Sequence, residues 1–178
     1  MGRLIAKKGY FELLNILQYL SLLNIRFSAK IVGDGPLRKS LQKCIVNFDL
    51  EDRVNLLGSM SHQEVNKCMY ESTDLFFFTG KHASTGDRDG LPNVIIEAMV
   101  AGVPVLASPS GAVSEAIKHG FTGELLNLDK PELWASAIYK IKESPSYADE
   151  LRRNARNWVA QNCDARQNAE TLNTLFQS

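Results

Sequence analysis

The chain has 178 residues, of which 44% are hydrophobic and 22% are charged, a composition typical of one globular domain with a sizeable core. Its 20 Lys and Arg residues balance 20 Asp and Glu residues, so the formal net charge is zero. Because there is also no block of like charges, the sequence argues against a protein that binds nucleic acid through bulk electrostatics, and an anionic ligand must be held by a few placed groups.

Helix and strand patterns alternate along the chain. Helical patterns cover residues 9–23, 37–48, 61–72, 93–101, 110–118, 130–143, 147–162 and 165–176. Strand patterns cover residues 27–32, 53–57, 74–79, 104–107 and 123–126. Ser61 and Glu64 have the spacing of a capping box at the start of the third helix. This alternation predicts an α/β fold with a Rossmann-like parallel sheet and helices on both faces, formed by residues 1–163.

The longest loop that follows a strand, residues 80–90, ends in polar residues and enters a helix. In parallel sheets ligands bind beyond the carboxyl ends of the strands, which makes this loop a candidate site. Asn93 is predicted to cap the helix, whose free amide groups favour an anion. Asp89 and Glu97 could then accept hydrogen bonds from one hydroxyl-rich ligand. Taken alone, the segment fits somewhat better a structural interpretation, with Asp89 as a solvated loop residue and Glu97 as a paired structural acid.

Two cations open the chain. Arg3 and Lys8 lie just before the first helix, where they suit a diphosphate group. Surface cations are common, so this pattern by itself is weak. The three cysteines, Cys44, Cys68 and Cys163, are far apart in sequence and predict reduced thiols rather than a metal site. There is no signal-peptide pattern and no run of about 18 apolar residues that could span a membrane.

Together these segments resemble the C-terminal half of the group 1 glycosyltransferases, retaining enzymes of the GT-B fold that use nucleotide-activated sugars. The matching motifs follow the order of that family: Gly2-Arg3 through Lys8-Gly9, Val32-Gly33-Asp34-Gly35-Pro36, Val54-Asn55-Leu56-Leu57-Gly58 with Glu64, Asp89 through Glu97, Ala101-Gly102-Val103-Pro104-Val105, and Gly111 through Glu115. Each motif is weak alone, whereas several in register are specific.

The resemblance implies roles for particular residues. Arg3 and Lys8 are expected to bind the donor diphosphate and to stabilise the leaving group, and Asp89 is expected to contact the donor sugar. The remaining implied nucleotide-sugar contacts are Gly33, Met60, Ser61, Gly90, Leu91, Pro92, Asn93 and Glu97. Among these, Glu97 would hold the ribose hydroxyls, and the backbone near Met60 and Ser61 would meet the base. The donor would be a UDP- or GDP-sugar, with no metal and no other cofactor.

Two departures from the family pattern bear on activity. Asp89 stands where many members have Glu, which shortens the reach by one methylene. Only Met1 precedes Gly2, although in the family a first strand runs directly into this motif. We therefore expect the first strand and an N-terminal acceptor domain to be missing, the chain alone to be marginally stable and inactive in transfer, and residues 164–178 to form a helix crossing toward that domain.

Three functions remain open at this point. The chain is a glycosyltransferase donor domain, a nucleotide-sugar-binding module without catalysis, or part of another GT-B enzyme such as a nucleotide-sugar epimerase or hydrolase. The expected products of the first are polysaccharide, lipopolysaccharide or glycolipid. The expected location is cytoplasmic, with any association with the inner face of the membrane made through the missing half.

Overall fold

The computed structural model describes residues 1–81 and 90–163. The helices of this part are α1 (Tyr10–Leu22), α2 (Arg38–Asn47), α3 (His62–Ser72), α4 (Asn93–Ala101), α5 (Val113–Ala116), α6 (Pro131–Glu143) and α7 (Pro145–Asn162). The strands are β1 (Ala29–Val32), β2 (Val54–Gly58), β3 (Phe76–Phe78), β4 (Val105–Ala107) and β5 (Glu124–Leu125). A single 3-10 turn, Ala6–Lys8, precedes α1.

All strand pairs in the described part are parallel, as the sequence predicts for this α/β fold. β1 pairs with β2, and β4 lies between β3 and β5. The strands form two sheets instead of the single predicted sheet, because no backbone ladder joins β1 to β3 in the described residues. The two sheets are connected instead through the N-terminal segment, residues 2–9, which crosses the carboxyl ends of β1 and β3.

Helices cover both faces, and β4 shows how the core is divided between them. Leu106 packs into one cluster, with α1, α2 and α6, while Val105 and Ala107 pack into a second cluster, with α4, α5 and α7. Successive side chains of a strand point to opposite faces, so three consecutive buried residues require cover on both sides. Leu4, which is fully buried, attaches the N-terminal segment to the first cluster.

The predicted helix over residues 110–118 is much shorter in the structure. Gly111 adopts a positive φ of 52° before α5 begins. At the other end, the Thr122 hydroxyl donates to the carbonyl of Ala116 at 2.6 Å and accepts from the N–H of Lys118 at 2.8 Å. These bonds end the helix after one turn, at Ala116. The predicted helix over residues 165–176, and with it the division at residue 163, lies outside the described residues.

Candidate functional site

The first half of the N-terminal segment is bonded to the carboxyl end of β1. Gly2 N–H donates to the carbonyl of Val32 at 3.0 Å, and Leu4 N–H donates to the carbonyl of Asp34 at 2.9 Å. The turn after β1 approaches so closely that a Cβ added to Gly33, whose φ is +133°, would lie 1.9 Å from the carbonyl oxygen of Gly2. Only glycine fits this contact, which explains the Gly33 turn of the sequence.

The second half of the segment is bonded to the carboxyl end of β3. The Thr79 hydroxyl donates to the carbonyl of Lys8 at 3.0 Å, and Lys81 N–H donates to the carbonyl of Lys7 at 2.9 Å. Gly9 has a left-handed conformation, with φ 66°, and its backbone touches the carbonyl of Thr79. The segment is therefore fixed at both ends, above the carboxyl edges of two separate sheets.

The two predicted diphosphate cations lie on this fixed segment. Lys8 ends the 3-10 turn two residues before α1 begins at Tyr10 and is half-buried. Arg3 is exposed and lies further back, in the extended part, so it does not stand directly before the helix as predicted. The 3-10 turn accounts for the difference, because it inserts a bend between Arg3 and the first turn of α1.

The first residues of α4 lie where the sequence places them, but the predicted cap is wrong. Pro92, with φ −66° and ψ 124°, is the residue that precedes the helix, and no side chain of the described residues caps this end. Asn93 is the first helical residue, because the extended Pro92 already marks the change of direction. Ile95 N–H donates to the carbonyl of Pro92 at 2.9 Å, and no side chain of the described residues bonds the N–H groups of Asn93 and Val94 before it.

Of the remaining predicted contacts in this region, three lie in the described part of the chain and one does not. Gly90 is exposed and has open space around its Cα, and Leu91 is half-buried beside the second core cluster. Glu97 is half-buried one turn into α4, on a helix whose Ile95 and Ala98 are fully buried. Asp89 lies outside the described residues, so its proposed contact with the donor sugar stays a prediction.

The predicted base-binding turn, Met60 and Ser61, connects β2 to α3. The capping box is confirmed: Ser61 Oγ accepts from Glu64 N–H at 3.3 Å, and Ser61 N–H donates to Glu64 Oε2 at 2.7 Å. The Ser61 hydroxyl also donates to Glu64 Oε2 at 2.7 Å. A nucleotide base that meets Ser61 must therefore compete with the Glu64 carboxylate for its N–H.

These hydrogen bonds predict a pH-dependent stability. The bonds from the Ser61 hydroxyl and from its N–H lower the pKa of Glu64 below the usual value of 4.5. Because the folded pKa is depressed, the contribution is present above the unfolded pKa and is lost as pH falls through the folded pKa. We expect Glu64→Ala to be less stable than the original chain at pH 7, with the difference shrinking steadily below pH 4.5.

Urea unfolding at several pH values measures this difference. Glu71→Ala on the same helix is the matched control, because Glu71 is exposed and lies at the opposite end from the capping box. A Glu64→Ala deficit that stays constant between pH 7 and acid conditions would contradict the assignment.

Two residues of this edge, Lys81 and Glu12, were missed by the sequence reasoning. They form an ion pair between the end of β3 and the first turn of α1. The rule that selects residues after strands could have found Lys81, since it follows β3 closely. Nothing in the sequence pairs it with Glu12, because that contact depends on how α1 packs.

The described residues contain no group of three or more His, Cys, Asp and Glu side chains placed to hold a metal ion. In the same ranges, no helix combines the length and apolar character needed to cross a membrane. Within the described part, Cys44, Cys68 and Cys163 are free thiols.

The fold and sequence both match known proteins. The C-terminal domain of LpcC, a glycosyl transferase group 1 family protein from Francisella tularensis, has the same fold, with a TM-score of 0.76 at 16% identity over 93% of this chain and 84% of that domain. Anabaena HepE, solved in complex with UDP, matches with a TM-score of 0.80 and 27% identity over 97% of this chain and 48% of HepE.

The amylovoran biosynthesis glycosyltransferase AmsK of Erwinia amylovora is 29% identical over 143 residues, which are 80% of this chain and 35% of AmsK. The chain thus spans less than half of the length of AmsK and of HepE. A family model for glycosyl transferases group 1 matches residues 1–158, nearly the whole chain. The chain belongs to the group 1 glycosyltransferase family.

Proposed function

We propose that this chain binds the nucleotide-diphosphate sugar of a retaining glycosyltransferase. The observation that carries the proposal is the fixed N-terminal segment, which holds Arg3 and Lys8 above the carboxyl ends of β1 and β3. The start of α4, which no side chain of the described residues caps, lies after β3 in the chain and would offer the N–H groups of Asn93 and Val94 as further donors. The UDP complex of HepE, at 27% identity, supports a nucleoside diphosphate as the ligand.

In this proposal the protein acts mainly by electrostatic stabilisation. The bond between the anomeric carbon and the β-phosphate oxygen breaks, and its electron pair stays with the nucleoside diphosphate. The acceptor hydroxyl oxygen bonds to the anomeric carbon, and its proton passes to the departing phosphate oxygen. Arg3 and Lys8 stabilise the negative charge that develops on the leaving group, which is the term that such preorganised cations supply. No metal is needed for this role.

The other predicted residues act on the donor in the same proposal. Asp89 contacts the sugar and Glu97 holds the ribose hydroxyls. The backbone of Gly90, Leu91, Pro92 and Asn93 faces the sugar and phosphates. Gly33 lets the turn after β1 approach the ligand, and Met60 and Ser61 lie beside the base.

The acceptor is proposed to bind to a separate N-terminal domain, in line with the chain's span of only 35% of AmsK and 48% of HepE. AmsK is named for the biosynthesis of amylovoran, which supports a polysaccharide product for the complete enzyme. Transfer is proposed to require both domains, so this chain alone binds the donor and does not transfer the sugar. A nucleotide-sugar-binding module and another GT-B enzyme remain the alternatives, and both would share the donor contacts but not the sugar transfer.

Isothermal titration calorimetry with UDP, GDP and their sugar derivatives tests donor binding. Arg3→Ala and Lys8→Ala are each expected to weaken the binding of the preferred nucleoside diphosphate about tenfold to a hundredfold, because each removes a charge-assisted hydrogen bond. Lys43→Ala is the matched control, since Lys43 is exposed on α2 and away from the segment.

Two outcomes would count against the proposal. The first is that neither UDP, GDP nor their sugars bind to the chain. The second is that binding persists unchanged in both Arg3→Ala and Lys8→Ala. Joining the chain to the part of a longer relative such as HepE that this chain does not match, and assaying sugar transfer, then separates a transferase from a binding module.

A further inference from the structure

The ion pair between Lys81 and Glu12 lies at the proposed phosphate site without a role in the contacts described so far. Lys81 follows Gly80 at the carboxyl end of β3, and Glu12 lies in the first turn of α1. The Lys81 side chain is 43% exposed and that of Glu12 is 22% exposed. The Lys81 end of the pair is thus exposed to solvent, whereas the Glu12 end is largely covered.

The backbone places Lys81 beside Lys8. Lys81 N–H donates to the carbonyl of Lys7 at 2.9 Å, and Thr79 Oγ1 donates to the carbonyl of Lys8 at 3.0 Å. The end of β3 and the end of the 3-10 turn are therefore in direct contact. Lys81 and Lys8 leave neighbouring backbones at the same carboxyl edge, where a diphosphate bound by Lys8 comes within reach of a long lysine side chain.

Charge favours an exchange of partners at this place. A partly exposed ion pair such as this one contributes little to stability, because water at Lys81 screens it and two side chains lose freedom. A phosphate oxygen makes a stronger, charge-assisted hydrogen bond with an ammonium group. Glu12 suits the amino end of α1 while the site is empty, but its carboxylate repels an incoming phosphate.

We propose that Lys81 is a third phosphate-binding cation. When the nucleoside diphosphate binds, Lys81 breaks its ion pair with Glu12 and binds the terminal phosphate. Glu12 competes with that phosphate and so sets the affinity of the site. This proposal rests on the proposed function, because it requires a nucleoside diphosphate at this edge. The free nucleoside diphosphate carries more negative charge on its terminal phosphate than the sugar-linked donor, so Glu12 weakens the binding of the product most.

The exchange predicts opposite effects for the two partners. Lys81→Met should weaken the binding of UDP or GDP, whichever binds more tightly, about fivefold, because one charge-assisted bond is lost. Glu12→Gln should strengthen it about threefold, because Lys81 is released and a repulsive carboxylate is removed. The corresponding monophosphate should change less than twofold in both variants, since it lacks the terminal phosphate.

Calorimetry on the 178-residue chain measures these affinities, and thermal unfolding shows whether each variant is folded. Lys39→Met and Glu132→Gln are the charge-matched controls; Lys39 is exposed on α2, and Glu132 occupies the first turn of α6 as Glu12 does in α1. Lys81→Arg keeps the cation and should keep the affinity, which separates the charge from a general defect of Lys81→Met.

The directions of the two affinity changes distinguish an exchange of partners from an ion pair that only holds the site together. An ion pair of the second kind predicts that Glu12→Gln and Lys81→Met both weaken binding, and this result would overturn the proposal. Diphosphate binding that depends on Arg3 and Lys8 but not on Lys81 or Glu12 would overturn it while leaving the proposed function intact. Absence of any nucleoside diphosphate binding by the unaltered chain would overturn both.

Discussion

Replacing Gly9 with alanine is expected to lower the free energy of unfolding by about 2–4 kcal/mol. Alanine disfavours the left-handed backbone conformation at this position, and its Cβ would overlap neighbouring atoms. Gly9 has a φ of 66°, and an added Cβ would lie 1.8 Å from the carbonyl oxygen of Thr79. Backbone atoms on both sides must then separate. Because Lys8 and Lys81 are held across the same contact, nucleoside diphosphate binding should also weaken in the folded fraction.

Urea unfolding and calorimetry check the two effects separately. Gly90→Ala is the control for stability, because an added Cβ at Gly90 meets nothing within 4 Å. Gly33→Ala should behave as Gly9→Ala does, since its Cβ would lie 1.9 Å from the carbonyl oxygen of Gly2. If Gly9→Ala were as stable as Gly90→Ala, the close contact between the segment and β3 could not be a feature of the folded protein.

The second large effect is expected at Trp134. Replacement by alanine should lower the free energy of unfolding by about 3–5 kcal/mol, the usual cost of removing a large aromatic side chain from a core. Trp134 is fully buried, stacks on Phe77 with ring centroids 5.4 Å apart, and donates from Nε1 to the carbonyl of Asn127 at 2.9 Å. It therefore connects α6 to β3 and to the turn that follows β5.

Two further variants show which part of the Trp134 side chain accounts for this loss of stability and how it compares with a second tryptophan. Trp134→Phe keeps an aromatic ring but leaves the Asn127 carbonyl without its donor, so an intermediate loss is expected. Trp158→Ala removes a half-buried indole from α7 and should cost less than Trp134→Ala. A larger loss for Trp158→Ala than for Trp134→Ala would show that the core is not centred on the packing of α6 against β3.

Together these variants distinguish the site from the core that supports it. Gly9 lies in the segment that carries the proposed phosphate cations, whereas Trp134 lies in the first core cluster. We therefore expect Gly9→Ala to change ligand affinity in the folded molecules and Trp134→Ala to change mainly the folded fraction.

Local patterns were sufficient for most of the elements. The capping box at Ser61 begins α3 as predicted, because both of its hydrogen bonds join residues three apart in sequence. The apolar run at Phe76–Phe78 forms a buried strand, and Asn93–Ala101 has the predicted helical bounds. Local spacing misplaced the cap of α4 by one residue. The extended residue before the helix is Pro92, and Asn93 is already helical.

The β5 region shows the limit of such patterns. Residues 123–126 suggested only a short strand, yet Glu124 is buried there and accepts a hydrogen bond from the Tyr147 hydroxyl, while His119 Nδ1 lies 2.8 Å from its other oxygen. Burial and this bond raise the pKa of Tyr147 well above its usual range. His119 and Glu124 are close in sequence, but Tyr147 lies on α7, so its bond to Glu124 depends on how α7 packs.

The sequence by itself determined the α/β class, the parallel strands and the Asn93–Ala101 helix that follows β3. These follow from hydrophobic periodicity and from motifs whose interactions are short in sequence. Only the tertiary structure decided that the strands divide into two sheets, that the segment carrying Arg3 and Lys8 is fixed to both, and that Lys81 meets Glu12. Those contacts join residues far apart in the chain, and their geometry depends on packing that no local pattern contains.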